Sequence, residues 1–300
     1  MKQSNAPTPA SGTFLLGGDI PIYRLGFGAM RITGDGIWGP PADPEECLRV
    51  LRRAVELGVN FIDTADSYGP NVSKELIRQA LHPYDGVTIA TKAGFLRTGP
   101  GAWVENCDPK RLRQAAEGSL RRLGVETIDL YQLHRIDPNF PLEDQIGVFK
   151  QLQEEGKVRH IGLSEVTVEQ IEACRKIADI VSVQNLYNVG ERRWEDVLDY
   201  CQAEGIGFIP WYPVAVGKLA KPGGVLASVA GEVGATPIQV SLAWLLARAE
   251  VMLPIPGTSS VAHLEENQAA ATVRLSQEQF DRIDRAHGTT QPLPDEAEPA

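Results

Sequence analysis

Residues 60–70, Asn60-Phe61-Ile62-Asp63-Thr64-Ala65-Asp66-Ser67-Tyr68-Gly69-Pro70, give the strongest indication of the fold. Residues 59–62 are mostly apolar and predict a short strand that is buried on both faces, as in a parallel sheet. Asp63 stands at the carboxyl end of this strand, and Tyr68 follows in the loop beyond it. An acid and a tyrosine in these places indicate a functional site at the carboxyl edge of the sheet.

Two later stretches have the same form, Val87-Thr-Ile-Ala-Thr-Lys92 and Ile128-Asp-Leu-Tyr-Gln-Leu-His134. Alternate residues of a strand share one face, and neighbouring strands lie about 4.8 Å apart. If the three strands are consecutive in one parallel sheet, Asp63, Lys92 and His134 meet at its carboxyl edge. The phenol of Tyr68 would then lie beside an acid, an amine and an imidazole.

Eight strand-helix units are predicted after an N-terminal β-hairpin. The turn of the hairpin contains Gly17-Gly18, since glycine supplies the positive φ angles of a tight turn. The predicted strands are 25–27, 59–62, 87–91, 128–133, 158–163, 181–185, 206–211 and 251–255, and the predicted helices are 44–57, 72–81, 109–123, 142–155, 167–178, 192–204, 236–248 and 259–270. One extra helix is predicted from Leu275 onward.

This order predicts an α/β protein with a (β/α)₈ TIM barrel rather than an open doubly wound sheet. The open sheet needs a glycine fingerprint after its first strand, and Gly26-Phe-Gly28 lacks the third glycine. We expect a single barrel domain over residues 13–287, a disordered N-terminus at 1–12 and a flexible C-terminal tail at 288–300.

The composition is that of a globular chain, with 300 residues of which 43% are hydrophobic and 23% charged. A formal net charge of -10 argues against nucleic acid or an anionic membrane as a partner. No stretch approaches the ~18 apolar residues of a membrane span. The cysteines are widely spaced, which favours a reduced, cytoplasmic setting without a disulfide framework or a structural zinc.

The clustered residues suggest a proton donor. A tyrosine has a reference pKa of about 10, so Tyr68 needs a nearby cation such as Lys92 to bring its pKa toward the working range. Asp63 would hold Lys92 in place, and His134 could donate a hydrogen bond to a substrate oxygen. Such a group delivers a proton to a carbonyl but has no nucleophile, so hydride must come from a nicotinamide cofactor.

Other chemistries are weaker fits. A single acid, lysine or histidine is often a cap, a solvated charge or a satisfied hydrogen-bond partner. The histidines have no paired spacing, so no metal site is predicted, and no G-x-S-x-G elbow supports a serine hydrolase. The best competing reaction is a Schiff-base aldolase that uses Lys92 as its nucleophile.

The motifs together resemble the aldo/keto reductase family over roughly residues 14 to 287. Phe61-Ile-Asp63-Thr-Ala-Asp-Ser-Tyr68-Gly is similar to its signature segment, Ile89-Ala-Thr-Lys92 to its lysine strand and Asp129-Leu-Tyr-Gln-Leu-His134 to its histidine strand. The resemblance implies the catalytic tetrad Asp63, Tyr68, Lys92 and His134, an extended NADP(H) and no Rossmann domain. It extends through Gly162-Leu-Ser164, Gln184-Asn185, Ile255-Pro-Gly-Thr-Ser and Glu266-Asn267.

The same resemblance implies a cofactor shell. Its residues are Ala29, Met30, Asp63, Ser164, Glu165, Gln184, Trp211, Tyr212, Pro213, Val214, Gly217, Gly257, Thr258, Ser259, His263, Glu266 and Asn267. Glu165 stands where many members have asparagine, Trp211 replaces the commoner tyrosine, and His263 replaces an arginine for the 2′-phosphate. We expect NADPH to be preferred, but less strongly than with arginine at 263. The helix start at Gly257–Ser260 is the expected anion site.

Within the family, the motifs are most like those of bacterial pyridoxal-reductase-type members. The resemblance implies a small-molecule carbonyl substrate, with pyridoxal as a candidate, and Trp38, Trp103 and Arg135 lie in or next to loops that could shape its pocket. Some relatives are channel subunits, so a cofactor-sensing regulatory subunit is the other hypothesis. We expect a monomer or a weak homo-oligomer, with no nucleic acid or membrane partner.

Overall fold

A computed structural model describes residues 6–215 and 223–287. Its strands are β1 (Thr13–Leu16), β2 (Ile20–Tyr23), β3 (Phe27–Gly28), β4 (Phe61–Asp63), β5 (Thr88–Ala93), β6 (Phe95–Gly99), β7 (Ala102–Glu105), β8 (Ile128–Leu133), β9 (Val158–Ser164), β10 (Ile180–Gln184) and β11 (Gly207–Phe208). Its α-helices are α1 (Pro44–Glu56), α2 (Val72–Leu81), α3 (Pro109–Leu123), α4 (Leu142–Glu154), α5 (Val168–Arg175), α6 (Glu195–Glu204), α7 (Val225–Val233), α8 (Pro237–Arg248), α9 (Val261–Ala269) and α10 (Gln277–His287).

Seven strands form one parallel sheet in the order β3, β4, β5, β8, β9, β10, β11. The strands that carry Asp63, Lys92 and His134 are therefore neighbours, as predicted. Lys92 pairs with Gln132 across β5 and β8, which places both in the same layer of the barrel. The helices cover the outside of the sheet, and the structure is the predicted (β/α)₈ barrel.

The segment 251–256 closes the barrel as its eighth strand. On one side Leu253 N donates to Phe208 O of β11 at 2.8 Å. On the other side Gly26 N, just before β3, donates to Pro254 O at 2.9 Å. The segment thus joins the two ends of the seven-stranded sheet and leaves no open edge.

Two prolines make this closure irregular. In a parallel ladder the N–H that would bond Gly26 O belongs to residue 256, which is a proline and has none. Gln268 of α9 replaces the missing donor, because its Nε2 donates to Gly26 O at 3.1 Å. Pro254 and Pro256 both lack an N–H on the side that faces β3. The predicted strand 251–255 therefore closes the barrel without forming a complete ladder.

The barrel interior is filled in layers. Phe61, Ala90 and Leu130 form an apolar layer below the polar residues two positions farther along each strand. The β1–β2 hairpin closes the bottom, since Leu16 and Ile22 are fully buried against this layer. The turn of the hairpin has φ angles of 61° at Gly17 and 83° at Gly18, as the sequence predicted. The polar residues lie at the opposite end, which is the carboxyl end of the strands, where barrel enzymes hold their sites.

Three elements differ from prediction. The β6–β7 hairpin and α7 lie in stretches that were expected to be loops. Residues 8–11, predicted as part of a disordered N-terminus, form a 3-10 helix instead. Thr8 is buried and donates through Oγ1 to Gln268 Oε1 at 2.9 Å, which fixes this segment against α9. The tail prediction for 288–300 lies outside the described residues.

Candidate active site

A buried ion pair forms the floor of the site. The Nζ of Lys92 pairs with Oδ2 of Asp63 and also donates to the carbonyl oxygen of Thr64 at 3.1 Å. The exposed fraction is 0% for the Lys92 side chain and 2% for that of Asp63. Burial lowers the pKa of Lys92, and the contact with Asp63 opposes this shift.

The second carboxylate oxygen of Asp63 is held by two glutamines. Oδ1 accepts from Gln132 Nε2 at 3.1 Å and from Gln184 Nε2 at 2.9 Å. Three donors thus fix both oxygens of the acid and with it the position of Lys92. Gln132 was not predicted as a site residue, although it stands two positions before His134 and so shares its strand face. Gln184 was expected in the cofactor shell, and its Nε2 is engaged with Asp63.

Tyr68 stands between this floor and the cleft above it. Lys92 Nζ lies 5.2 Å from the centroid of the Tyr68 ring. We expected this ammonium to lower the pKa of the phenol. Instead, burial raises the pKa of Tyr68 well above its ordinary value, and the Asp63 charge adds to the rise. The phenol is therefore protonated at neutral pH, as a proton donor must be.

His134 faces Tyr68 across the cleft, with 6.1 Å between the two ring centroids. Burial lowers the pKa of His134 well below its ordinary value, and the positive charges of Lys92 and Arg135 lower it further. The imidazole is therefore neutral. A neutral imidazole carries one N–H, which can donate to a substrate oxygen without bringing a charge into the site.

The β6–β7 hairpin forms one wall of the cleft. Phe95 packs edge-on against His134 with 4.7 Å between ring centroids, and Trp103 packs against both. Arg135 lies beside them and donates from Nη1 to Ser164 Oγ at 3.2 Å. This end of the cleft is thus bordered by aromatic rings and one guanidinium.

Trp211 forms the opposite wall. Its indole Nε1 donates to Glu165 Oε1 at 2.6 Å, and the same oxygen accepts from Leu186 N at 2.5 Å. Glu165 was expected in the cofactor shell, and its carboxylate accepts the hydrogen bond of the indole. A carboxylate that only accepts hydrogen bonds matches the single N–H of tryptophan.

Most of the predicted site residues come together. Those that line the cleft are Met30, Asp63, Tyr68, Trp103, His134, Arg135, Ser164, Gln184, Trp211, Tyr212, Pro213, Val214 and Gly257. Gly28, Arg31, Phe95 and Ile255 also line it and were missed. The described residues that were predicted but do not line it are Ala29, Trp38, Lys92, Glu165, Thr258, Ser259, His263, Glu266 and Asn267. Gly217 lies outside the described residues.

The chain matches a known protein family over most of its length. A sequence model of the Aldo/keto reductase family matches residues 24–287. The chain belongs to this family. An uncharacterized oxidoreductase of Schizosaccharomyces pombe is 55% identical to this aldo/keto reductase over 267 residues, which are 89% of this chain and 87% of the relative.

Two other relatives are informative. Pyridoxine 4-dehydrogenase of Escherichia coli is 44% identical to this reductase over 282 residues, which are 92% of this chain and 98% of the relative. The crystal structure of an aldo/keto reductase from Klebsiella pneumoniae in complex with NADP and acetate is similar with a TM-score of 0.78 and 27% identity. It covers 94% of this chain and 96% of its own.

The start of α9 was the expected phosphate site of the reductase. Val261 N, the first amide of the helix, donates to Glu46 Oε1 of α1 at 3.0 Å. Thr258 Oγ1 accepts from Ser260 N at 3.1 Å, and His263 is exposed. One amide at the positive end of the helix dipole is thus paired with a carboxylate of the protein itself.

Residues 6–215 and 223–287 of the reductase contain neither a candidate metal site nor a single helix that could span a membrane. No group of three histidine, cysteine, aspartate or glutamate side chains there could hold a metal ion. In the same residues no single helix is long and apolar enough to cross a membrane. Helices α7 and α8 meet the length and composition limits only as a pair, and the chain bends by 92° between them.

Proposed function

We propose that this reductase converts flat aromatic aldehydes to alcohols, with pyridoxal as the candidate substrate and NADPH as the hydride donor. The observation that carries the proposal is the position of Tyr68, which borders the cleft with the Lys92–Asp63 pair buried behind it. The rings of Phe95 and Trp103 support an aromatic substrate. The 44% identity to a pyridoxine 4-dehydrogenase supports the same class.

Four side chains take part in one proton transfer to the substrate. The Tyr68 hydroxyl gives its proton to the substrate oxygen as negative charge develops there. His134, neutral and held by aromatic neighbours, donates a hydrogen bond to the same oxygen and fixes its direction. The ammonium of Lys92 stabilises the phenolate that Tyr68 becomes, while Asp63 keeps that ammonium in place.

The cleft residues fit a nicotinamide dinucleotide. Ser164 offers a hydroxyl, Gln184 retains its amide oxygen, and a carboxamide needs both a donor and an acceptor. Trp211 offers a flat indole that is fixed through Nε1. When bound, the nicotinamide supplies the hydride.

The position of Lys92 disfavours the aldolase. A Schiff-base nucleophile must reach the substrate carbon. The Lys92 side chain is fully buried, does not line the cleft, and holds its Nζ on Asp63 and on Thr64 O. This geometry suits a charge that acts through Tyr68.

A carbonyl screen tests the proposal. We expect the purified full chain to consume NADPH with pyridoxal and other aromatic aldehydes, faster than with aliphatic aldehydes of similar size. The reverse reaction should reduce NADP with pyridoxine. If NADPH binds but no aldehyde is turned over, the cofactor-sensing regulatory subunit is the better assignment. The monomer or weak homo-oligomer and the cytoplasmic location stay predictions.

Replacing Glu46 should strengthen the preference for NADPH. We expect Glu46→Gln to tighten NADPH binding severalfold and to leave NADH binding unchanged, because a carboxylate at the α9 start repels the 2′-phosphate. The change also releases Arg49, which pairs with Glu46 at 2.7 Å. Fluorescence quenching titrations of both cofactors measure the effect. Glu45→Gln on the same helix is the control, and an equal change in that variant would contradict the prediction.

A further inference from the structure

Arg97 on β6 points inward and is only 8% exposed. Its guanidinium makes five hydrogen bonds to backbone carbonyls, one from Nε and two from each Nη, which matches the five N–H donors of arginine. The acceptors are Ala102 at 2.8 Å, Ile37 at 3.0 Å, Ser67 at 2.8 Å, Gly36 at 2.8 Å and Gly99 at 3.3 Å.

These carbonyls belong to three separate segments. Gly36 and Ile37 lie in the loop between β3 and α1, Ser67 lies in the loop between β4 and α2, and the others lie in the β6–β7 hairpin. Ser67 is the residue immediately before Tyr68 in the chain. One guanidinium therefore links the backbone of the proton donor to the two loops that surround it.

The backbone joins the same segments around Arg97. Gly39 N donates to Gly69 O at 2.6 Å, Gly69 N donates to Ile37 O at 3.2 Å, and Gly101 N donates to Gly36 O at 2.9 Å. Ile37 has a φ of 54°, a left-handed conformation that is costly for a β-branched residue. Its carbonyl accepts from both Arg97 and Gly69, and these bonds hold the unfavourable conformation.

Arg97 also supports the substrate wall. Its guanidinium carbon lies 3.7 Å from the ring centroid of Trp103 and 5.8 Å from that of Trp38. Trp103 in turn packs on Phe95 and His134 in the cleft. Arg97 thus fixes the orientation of the Trp103 ring and also binds the carbonyl oxygen of Ser67.

We propose that Arg97 is a positioning residue that places the Tyr68 hydroxyl and the Trp103 ring at the substrate. The inference rests on the proposed carbonyl reduction. Lysine cannot replace this arginine. An ammonium has only three donors, whereas the planar guanidinium has the five that these carbonyls require. Proton transfer to the substrate depends on the placement of Tyr68, so the effect falls mainly on kcat.

Arg24 offers a matched control at the opposite end of the barrel. It also donates to backbone carbonyls, from Nη2 to Leu246 O at 2.7 Å and from Nε to Met252 O at 3.3 Å, but it does not line the cleft. We expect Arg97→Ala and Arg97→Lys to lower kcat for an aromatic aldehyde by up to about 10²-fold. The dissociation constant of NADPH should not change. Arg24→Ala should lower the melting temperature and leave kcat unchanged.

Two further measurements separate positioning from general stability. Guanidinium chloride, far below the concentration that unfolds the protein, should raise kcat of Arg97→Ala but not of Arg97→Lys. Amide exchange at Gly39, Gly69 and Gly101 should become faster in the Arg97 variants and not in Arg24→Ala. Loss of melting temperature with unchanged kcat and unchanged exchange at these glycines would overturn the inference. Unchanged exchange at these glycines would overturn the inference even if the wild-type chain reduces no aldehyde, whereas the absence of reduction with faster exchange would count against the proposed function.

Discussion

Tyr68→Phe is expected to lower kcat for carbonyl reduction by about 10² to 10⁴, the usual contribution of a general acid. The substitution removes only the hydroxyl. The ring keeps its contacts with His134 and Lys92, so the shape of the cleft is preserved. The affinity for NADPH should therefore remain that of the wild type, and the loss should appear in steady-state kinetics with pyridoxal as substrate.

Tyr131 provides the control for this substitution. It is a fully buried tyrosine on β8 whose hydroxyl donates to Leu112 O at 3.3 Å, away from the cleft. Tyr131→Phe should cost about 1 kcal/mol of stability, the typical net value of one hydrogen bond, and should leave kcat unchanged. A Tyr68→Phe enzyme with kcat close to that of Tyr131→Phe would show that the proton comes from another group.

Lys92→Met is expected to reduce both activity and stability. It leaves the Asp63 carboxylate buried without its cation, which costs about 3–5 kcal/mol when one partner of a buried pair is removed. The uncompensated charge raises the pKa of Tyr68 further, in the direction that Asp63 already shifts it. The phenol becomes a weaker acid, and we expect kcat to fall by about 10²-fold or more.

The pH profile gives the sign of this effect. In alcohol oxidation the tyrosine acts as a base, so the rate rises as the phenol of Tyr68 loses its proton. A higher pKa moves this rise to higher pH in Lys92→Met. The double variant Lys92→Met with Asp63→Asn removes both charges and should recover stability but not activity. Full recovery of kcat in the double variant would show that the ion pair serves folding only.

The sequence was sufficient for the arrangement of the strands that carry the candidate site, because a parallel sheet brings every carboxyl end to one edge. A period of two then puts Asp63, Lys92 and His134 on a common face. The predicted eighth strand was correct in place, although its ladder is incomplete. Pro256 cannot donate, and Gln268 is brought to Gly26 by tertiary packing that no local pattern indicates.

The β6–β7 hairpin was missed for a different reason. Buried and exposed positions alternate along β6, as they do in a half-buried strand. One of the buried positions is Arg97, so the stretch has too little apolar character to predict a strand. A buried arginine is satisfied here only because carbonyls of two distant loops converge on it. The sequence therefore showed Trp103 as a pocket residue and gave no sign of Phe95 or of what supports them.

The electrostatics of Tyr68 could not be predicted from the neighbouring residue types. The sequence placed a cation near the phenol and so suggested a lowered pKa. The depth of burial decides the sign, and it becomes visible only when the strands are assembled. The exposed His263 and the Glu46 carboxylate at the start of α9 likewise depend on how α1 packs against α9.

The contact between Glu165 and Trp211 has a practical consequence for redesign. Glu165 has a φ of 53°, a conformation that asparagine adopts more readily than glutamate. The hydrogen bonds from the indole and from Leu186 hold it there. Introducing this side of the cleft into another reductase therefore requires Glu165 and Trp211 to be transferred together. Transferring the tryptophan alone would leave its indole N–H without this acceptor. Transferring the glutamate alone would place a glutamate at a position with positive φ without the indole donor that holds its carboxylate.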